Sequence, residues 1–162
     1  MLIYSKISRR ENLSLDYAVV PSMKLMAVGY ESGIIKMYAF EESRKYLAEL
    51  RGHQASCISL MVPAKSEGFL YSGSADSTVR IWNLYDFEQV YVLQLDLLVS
   101  TLTLITSQLL YATSDETHPK SYLCDLNADL LEPVVNQNQG GELLRLTCDG
   151  IWCIAIYSNN HV

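Results

Sequence analysis

The sequence predicts an all-β protein assembled from repeats. Short apolar runs rich in Val, Ile, Tyr and Leu recur along the chain, and Gly, Ser, Asp and Asn separate them. Runs of this kind are typical of strands in a sandwich, a barrel or a propeller. Residues 25–40 also align with residues 69–84 at a shift of 44 residues. Because repeats of roughly 40 to 44 residues with four strands each mark propeller blades, the predicted fold is a partial β-propeller built of four-stranded antiparallel blades.

The repeat divides the chain, residues 1–162, into a series of blades. Residues 1–7 are predicted to form the last strand of a preceding or closing blade. Three complete blades and one incomplete blade follow, with approximate bounds at 12–50, 54–95, 96–137 and 140–162. In the second blade we predict strands at Cys57–Val62, Phe69–Ser74, Thr78–Asn83 and Gln89–Leu93.

The third and fourth blades are predicted from weaker versions of the same pattern. The third has its first strand near Leu102–Thr106, and Pro133 fits an edge strand, where its missing N–H is not needed. The fourth has strands at Leu143–Thr147 and Ile151–Tyr157, joined by Asp149-Gly150, a signal for a two-residue hairpin turn. With that turn, Cys148 and Cys153 are not expected to lie directly opposite one another.

Composition excludes several classes of partner. The chain is 49% hydrophobic and has a formal net charge of -6, so it can form a core but lacks the basic surface of a nucleic-acid binder. The same charge disfavours an anionic membrane, and the longest apolar run, 151–157, is too short to span a bilayer. No secretory signal is visible, so we expect reduced cysteines and a cytoplasmic or nuclear location.

The segment 46–95 contains a series of motifs in register: Gly52-His53, the spaced apolar residues Cys57, Leu60 and Val62, then Ser72-Gly73-Ser74, Asp76 and Trp82-Asn83. With these motifs the segment resembles a WD repeat. Such a repeat opens with Gly-His, continues with three spaced apolar positions and a Ser-Gly-Ser type segment, and ends with a turn Asp and a Trp-Asp pair. Asn83 departs from the pattern, and the resemblance weakens in the flanking units.

The resemblance implies a structural tetrad in the second blade. In that family the loop His, the strand Ser, the turn Asp and the strand Trp form one hydrogen-bonded network, and here they are His53, Ser72, Asp76 and Trp82. A buried imidazole and a buried indole each need hydrogen-bond partners, which such a network supplies. In the first blade the last three positions are occupied by Val28, Ser32 and Tyr38, which cannot form it.

The same residues have a catalytic alternative. His53, Ser72 and Asp76 are the residue types of a hydrolase triad, which would also need an exposed nucleophile, an oxyanion hole and a cleft. We favour the structural interpretation because Ser72 lies inside a predicted strand. Cys57 with His53, and Cys148 with Cys153, are likewise interpreted as packed thiols rather than catalytic, redox or metal pairs. We therefore expect no catalytic residue, no metal site and no cofactor.

Binding is expected on loops. WD-repeat propellers often dock proteins or peptides on one face, whose counterparts here are Glu31, Gln54, Ser56 and Ala75. The polar loop 114–121 is a second candidate, through Asp115, Glu116 and His118, although a neutral insertion explains it equally well.

The resemblance favours a non-catalytic interaction scaffold or adaptor. The alternative is the substrate-recognition or targeting part of an enzyme complex such as a ubiquitin ligase or a kinase. Since a closed ring of this family usually needs about seven blades, we expect a fragment of a longer propeller. A partner that completes the ring and a dimer are the other options.

Overall fold

A computed structural model describes residues 13–40, 45–63, 67–95, 98–105, 108–113, 120–125, 130–133, 143–148 and 153–157, with side chains up to residue 103. The first eight strands, in chain order, are β1 (Ser14–Val20), β2 (Leu25–Tyr30), β3 (Ile35–Ala39), β4 (Tyr46–Leu50), β5 (Cys57–Met61), β6 (Phe69–Ser74), β7 (Thr78–Asn83) and β8 (Gln89–Gln94). The strands that follow are β9 (Val99–Ile105), β10 (Gln108–Thr113), β11 (Lys120–Asp125), β12 (Leu130–Pro133), β13 (Leu143–Cys148) and β14 (Cys153–Tyr157).

The described strands form four antiparallel sheets that follow the chain order. β1 to β4, β5 to β8 and β9 to β12 form three four-stranded sheets, and β13 with β14 forms a hairpin. The first strands of successive sheets pack side by side, β1 on β5, β5 on β9 and β9 on β13. Consecutive four-stranded blades stacked through their first strands are the architecture of a propeller, so the predicted fold class is confirmed.

The strand register repeats between the first two blades. Gly29 pairs with Ile35 in the β2–β3 hairpin, and Gly73 pairs with Val79 in the β6–β7 hairpin. Both hairpins keep this offset along their whole length. The alignment of the two repeats at a shift of 44 residues is therefore confirmed at the level of backbone pairing.

A β-bulge recurs in the first strand of every sheet. The register between the first two strands shifts between Ser14 and Asp16 in β1, and at the corresponding places in β5, β9 and β13. We call the residue that follows the shift the bulge position; it is occupied by Asp16, Ser59, Thr101 and Arg145. Bulges re-aim a side chain out of the regular alternation, and in the first two blades this side chain reaches the next blade.

The hydrophobic core lies between blades. One cluster joins the first and second blades and includes Val20, Met37 and Leu60, and a second joins the second and third blades around Val99 and Leu102. Such burial is worth about 25 cal/mol per Å² of apolar area, so each blade is stabilised mainly by its neighbours.

Two glycines allow each blade to pack closely against the next one. A Cβ on Gly29 would lie 3.0 Å from the Cys57 sulfur, and one on Gly73 would lie 2.6 Å from Val99 Cγ1. Both glycines occupy the same repeat position, so a side chain there would force neighbouring blades apart.

Two strand predictions need correction. β9 begins at Val99, three residues earlier than expected, because its pairing with β10 continues across the bulge to Thr113. In the fourth sheet Cys148 pairs directly with Cys153. The expectation that these cysteines are not opposite was wrong, because the ladder closes there and four residues rather than the Asp149-Gly150 pair connect the strands.

One further prediction about the fold is confirmed, and two others are not tested by the described residues. Pro133 ends β12, the edge strand of the third sheet, as expected. The strand predicted at residues 1–7 lies outside the described residues, and the blade bounds remain a prediction. No helix in the described ranges is long and apolar enough to cross a membrane.

Candidate functional site

The four residues of the predicted tetrad meet in the interior of the second blade. His53 lies in the loop before β5, Ser72 in β6, Asp76 in the β6–β7 turn and Trp82 in β7. Ser72 is fully buried, and Trp82 and His53 are 2% and 7% exposed. The sequence therefore brings a loop, a turn and two strands to one point.

The hydrogen bonds form a single chain. His53 Nδ1 lies 3.0 Å from Asp76 Oδ2, and His53 Nε2 lies 2.7 Å from Ser72 Oγ. Trp82 Nε1 donates to Ser72 Oγ at 2.8 Å. Since a carboxylate only accepts, Nδ1 carries the proton, and the Ser72 hydroxyl then donates to Nε2 while accepting from the indole. Neutral His53 with this tautomer gives every polar atom of the chain a partner.

The Asp76 carboxylate accepts several hydrogen bonds in and beside the β6–β7 turn. Its Oδ1 accepts hydrogen bonds from the Thr78 backbone N–H at 2.9 Å and the Thr78 hydroxyl at 2.6 Å, and its Oδ2 also accepts from the Gln54 backbone N–H at 2.8 Å. Burial raises the pKa of Asp76, but the donors Thr78, Gln54 and His53 outweigh burial and lower this pKa to about 2. Asp76 is therefore ionised at neutral pH.

His53 is held in its neutral form. Burial lowers the pKa of His53, and the neighbouring Asp76 carboxylate opposes this shift without cancelling it. A second proton on Nε2 would also remove the acceptor that the Ser72 hydroxyl uses. The direction of the pKa shift and the hydrogen-bond pattern therefore agree.

The distances alone match a Ser-His-Asp triad, but the surroundings do not. A nucleophilic serine must reach a substrate, whereas Ser72 has no exposed surface. Its oxygen also accepts the hydrogen bond from Trp82, so one lone pair is occupied. This geometry favours a structural role for the four residues.

Sequence reasoning missed two members of the network. Thr78 Oγ1 lies 3.0 Å from His53 Nδ1 as well as bonding Asp76, and Ser74 Oγ joins the Ala55 carbonyl to the Asp76 N–H. The available signal was local, because an Asp followed two residues later by Thr is a common Asx-turn pattern.

The first blade lacks this network. Val28 is buried at the position of Ser72, while Ser32 is exposed at the position of Asp76. Tyr38, at the position of Trp82, places its hydroxyl 3.4 Å from that of Tyr30 and packs its ring edge-to-face on Tyr46. Apolar packing and the contacts of Tyr38 with two other tyrosines replace the tetrad there.

Three loops around the tetrad form one face, which we call the loop face: residues 31–34, 51–56 and 75–77. Gly33 approaches so closely that a Cβ would lie 2.6 Å from the Ala55 carbonyl oxygen. The Ala75 N–H donates to the Ser56 carbonyl at 3.0 Å. The structure thus brings Glu31, Gln54, Ser56 and Ala75 to one side of the molecule.

The members of the loop face differ in exposure. Glu31 and Gln54 are exposed, and Ser56 and Ala75 are half-buried. The remaining candidates, Asp115, Glu116 and His118, lie outside the described residues. Cys57 packs in the core between blades, and burial raises the pKa of its thiol. Among the described residues, no group of His, Cys, Asp or Glu is placed to hold a metal ion.

Comparisons with known proteins agree with this geometry. The family model "WD domain, G-beta repeat" matches residues 44–83. The solved structure titled "Structure of U3-55K" is similar with a TM-score of 0.67 and 18% identity, over 79% of this chain and 41% of that one. The β-propeller domain of Myceliophteria thermophila Cps50 (Swd1) is similar with a TM-score of 0.65 and 19% identity, over 81% of this chain and 42% of that one. No curated protein sequence matches the chain.

The blades and their stacking define the chain as a partial β-propeller, and it spans less than half the length of these two structures. Within it, the second blade is similar to a WD repeat, because the family model matches residues 44–83 and the tetrad lies in this blade.

Proposed function

We propose that the chain is a non-catalytic protein-interaction module, a scaffold or adaptor that binds proteins or peptides on its loop face. The WD repeat and the propeller fold support an interaction scaffold in general. Fold alone does not select a function, so the proposal depends on the geometry of the loops.

One observation carries the proposal: the tetrad fixes the loop face. Asp76 Oδ2 lies 3.0 Å from His53 Nδ1 and accepts the Gln54 N–H at 2.8 Å. The Gln54 backbone is therefore tied to the buried network, while its side chain is exposed. Binding to a loop that is already ordered costs less conformational entropy. A rigid backbone with exposed side chains is what a recognition loop requires.

The test uses two variants of the full chain with the same change in net charge. Glu31→Arg with Gln54→Arg changes the loop face but keeps the Gln54 N–H. Glu88→Arg with Val90→Arg changes exposed residues at the outer edge of the second blade. After affinity capture from cell extract and mass spectrometry, the first variant is expected to lose partners that the parent and the second variant retain. Equal partner sets for the two variants would contradict binding at this face.

A separate measurement tests the non-catalytic part. A serine-directed fluorophosphonate probe labels exposed, activated serines and needs access to the hydroxyl. Because Ser72 is fully buried, the folded chain is expected to remain unlabelled at Ser72. Labelling of Ser72 at a native pH would instead support the hydrolase alternative.

A further inference from the structure

Cys148 and Cys153 occupy directly opposite positions of the β13–β14 ladder, as its last pair before the connecting residues 149–152. Opposite residues of an antiparallel ladder lie on the same face of the sheet, with Cα atoms about 4.5 or 5.5 Å apart. A disulfide needs a Cα separation of about 4.4–6.8 Å. The backbone pairing therefore places these two cysteines within the range that a disulfide spans.

The other two cysteines of the chain have no such position. Cys57 is paired with a serine across its ladder, and Cys124 is paired with a leucine on each side. All four cysteines lie in described strands, so Cys148 and Cys153 are the one pair of cysteines that these ladders bring opposite one another. The interpretation of the pair as packed thiols depended on an offset between them, which the observed register removes.

From this register we propose that Cys148 and Cys153 are a redox modification site, a dithiol that is converted reversibly into a cross-strand disulfide by small-molecule thiols of the glutathione class. Where such thiols are kept reduced, the disulfides that do form are usually transient and redox-sensing. The bond ties β13 to β14 at the loop end of the hairpin, so oxidation restricts the opening of this ladder. The site includes no residue of the loop face, so either proposal can fail without the other.

Glutathione disulfide is the oxidant in this exchange. The thiolate of one cysteine attacks one sulfur of glutathione disulfide, which forms a mixed disulfide and releases one glutathione thiolate. The thiolate of the other cysteine then attacks the protein sulfur of the mixed disulfide, and the second glutathione leaves. Two electrons pass from the cysteine pair to glutathione disulfide, and the two thiol protons end on the released glutathiones. Reduced glutathione reverses both steps.

The folded ladder is expected to favour the disulfide over the dithiol. The second step of the exchange is intramolecular, so its equilibrium depends on the effective concentration of one thiol at the other. Pairing of β13 with β14 fixes the two cysteines opposite one another, whereas the unfolded chain samples many separations between them. The same two cysteines should therefore be oxidised more readily in the folded chain than in the unfolded chain.

The test equilibrates the full chain in glutathione buffers of increasing oxidised fraction, quenches with acid and alkylates the free thiols in denaturant. Mass spectrometry of the tryptic peptide 146–162, which contains both cysteines, measures the ratio of disulfide to dithiol. This ratio is expected to be at least about tenfold higher in the folded chain than in the same chain in urea, which corresponds to about 30 mV. Equal ratios, or a disulfide that joins Cys148 or Cys153 to another cysteine instead, would overturn the proposal.

The matched control exchanges two neighbouring residues, Thr147→Cys with Cys148→Thr, and keeps the composition of the chain. Thr147 is paired with Ile154, and successive residues of a strand lie on opposite faces of the sheet, so the relocated cysteine does not share a face with Cys153. Its ratio of disulfide to dithiol is expected to be at least about tenfold below that of the parent in the folded chain and similar to the parent in urea. A folded variant with the same ratio as the parent would overturn the proposal, because the register would then not select the pair.

Discussion

The first and second blades have the same backbone plan but different chemistry between their strands. Both blades have the same strand order, the same register between their second and third strands, and the same bulge in their first strand. Only the second contains a buried polar chain, whereas the first has Val28 and Tyr38 at the positions of Ser72 and Trp82. The blade architecture therefore depends on apolar packing and register, and the tetrad adds local order to the loops. The following predictions test this difference.

The largest difference is expected from removing the aromatic residue of the third strand. Trp82→Ala removes a ring that is 2% exposed, together with the donor to Ser72, and is expected to cost about 3–5 kcal/mol of unfolding free energy. Tyr38→Ala, at the same position of the first blade, is expected to cost about 1–2 kcal/mol, because that ring is only partly buried. Urea denaturation of both variants measures the contrast, and equal losses would contradict it.

Removing the imidazole is expected to have the next largest effect. His53→Ala removes the imidazole that accepts from the Ser72 hydroxyl and donates to Asp76, and it is expected to cost about 2–3 kcal/mol. Gln54→Ala, the adjacent exposed residue, keeps its backbone N–H bond to Asp76 and is expected to stay within about 0.5 kcal/mol of the parent. A loss below that of Gln54→Ala would show that the tetrad does not stabilise the blade.

Acid is expected to weaken the second blade in two pH ranges. The folded-state pKa of His53 is lowered, so the unfolded chain takes up this proton first, and stability falls as pH drops below about 6.5. The pKa of Asp76 is lowered to about 2, so its contribution is present above pH 3.8 and is lost as pH falls toward 2. Urea denaturation at pH 7.5, 6.5 and 5.5 is expected to show the first decrease in the parent but not in His53→Gln. An identical pH dependence in the two proteins would contradict the assignment.

The smallest effect is expected in the turns of the two blades. Gly33 and Ser77 hold the same position and both have positive φ, 81° and 64°. Ser77 has a side chain and is therefore strained in the left-handed region of backbone conformation. Ser77→Gly removes this strain and is expected to stabilise the chain by up to about 1 kcal/mol. Gly33→Ala is expected to destabilise it, because the added Cβ would meet the Ala55 carbonyl oxygen. Thermal unfolding measures both signs, and a loss in Ser77→Gly would contradict the shared turn conformation.

The sequence predicted the strands and the meeting of the tetrad residues because both follow from positions along a repeat. The 44-residue shift aligned Gly29 with Gly73, and the structure pairs them identically. The motif likewise placed His53 near Ser72. The β-bulges of the first strands were not predicted. A bulge next to Asp16 or Ser59 adds one residue to the strand, and the order of apolar residues in the sequence does not reveal it. The hydrogen bonds that these two residues make to the next blade depend on that bulge, so they too were missed.

The most direct test of the structural tetrad is a double-mutant cycle between Ser72→Ala and Trp82→Phe. Trp82→Phe removes the indole N–H and keeps an aromatic ring, and Ser72→Ala removes the hydroxyl that accepts it. If Ser72 connects His53 to Trp82, the losses in unfolding free energy are non-additive by about 1 kcal/mol or more. Additive losses, equal to the sum of the single variants within about 0.3 kcal/mol, would contradict a connected tetrad.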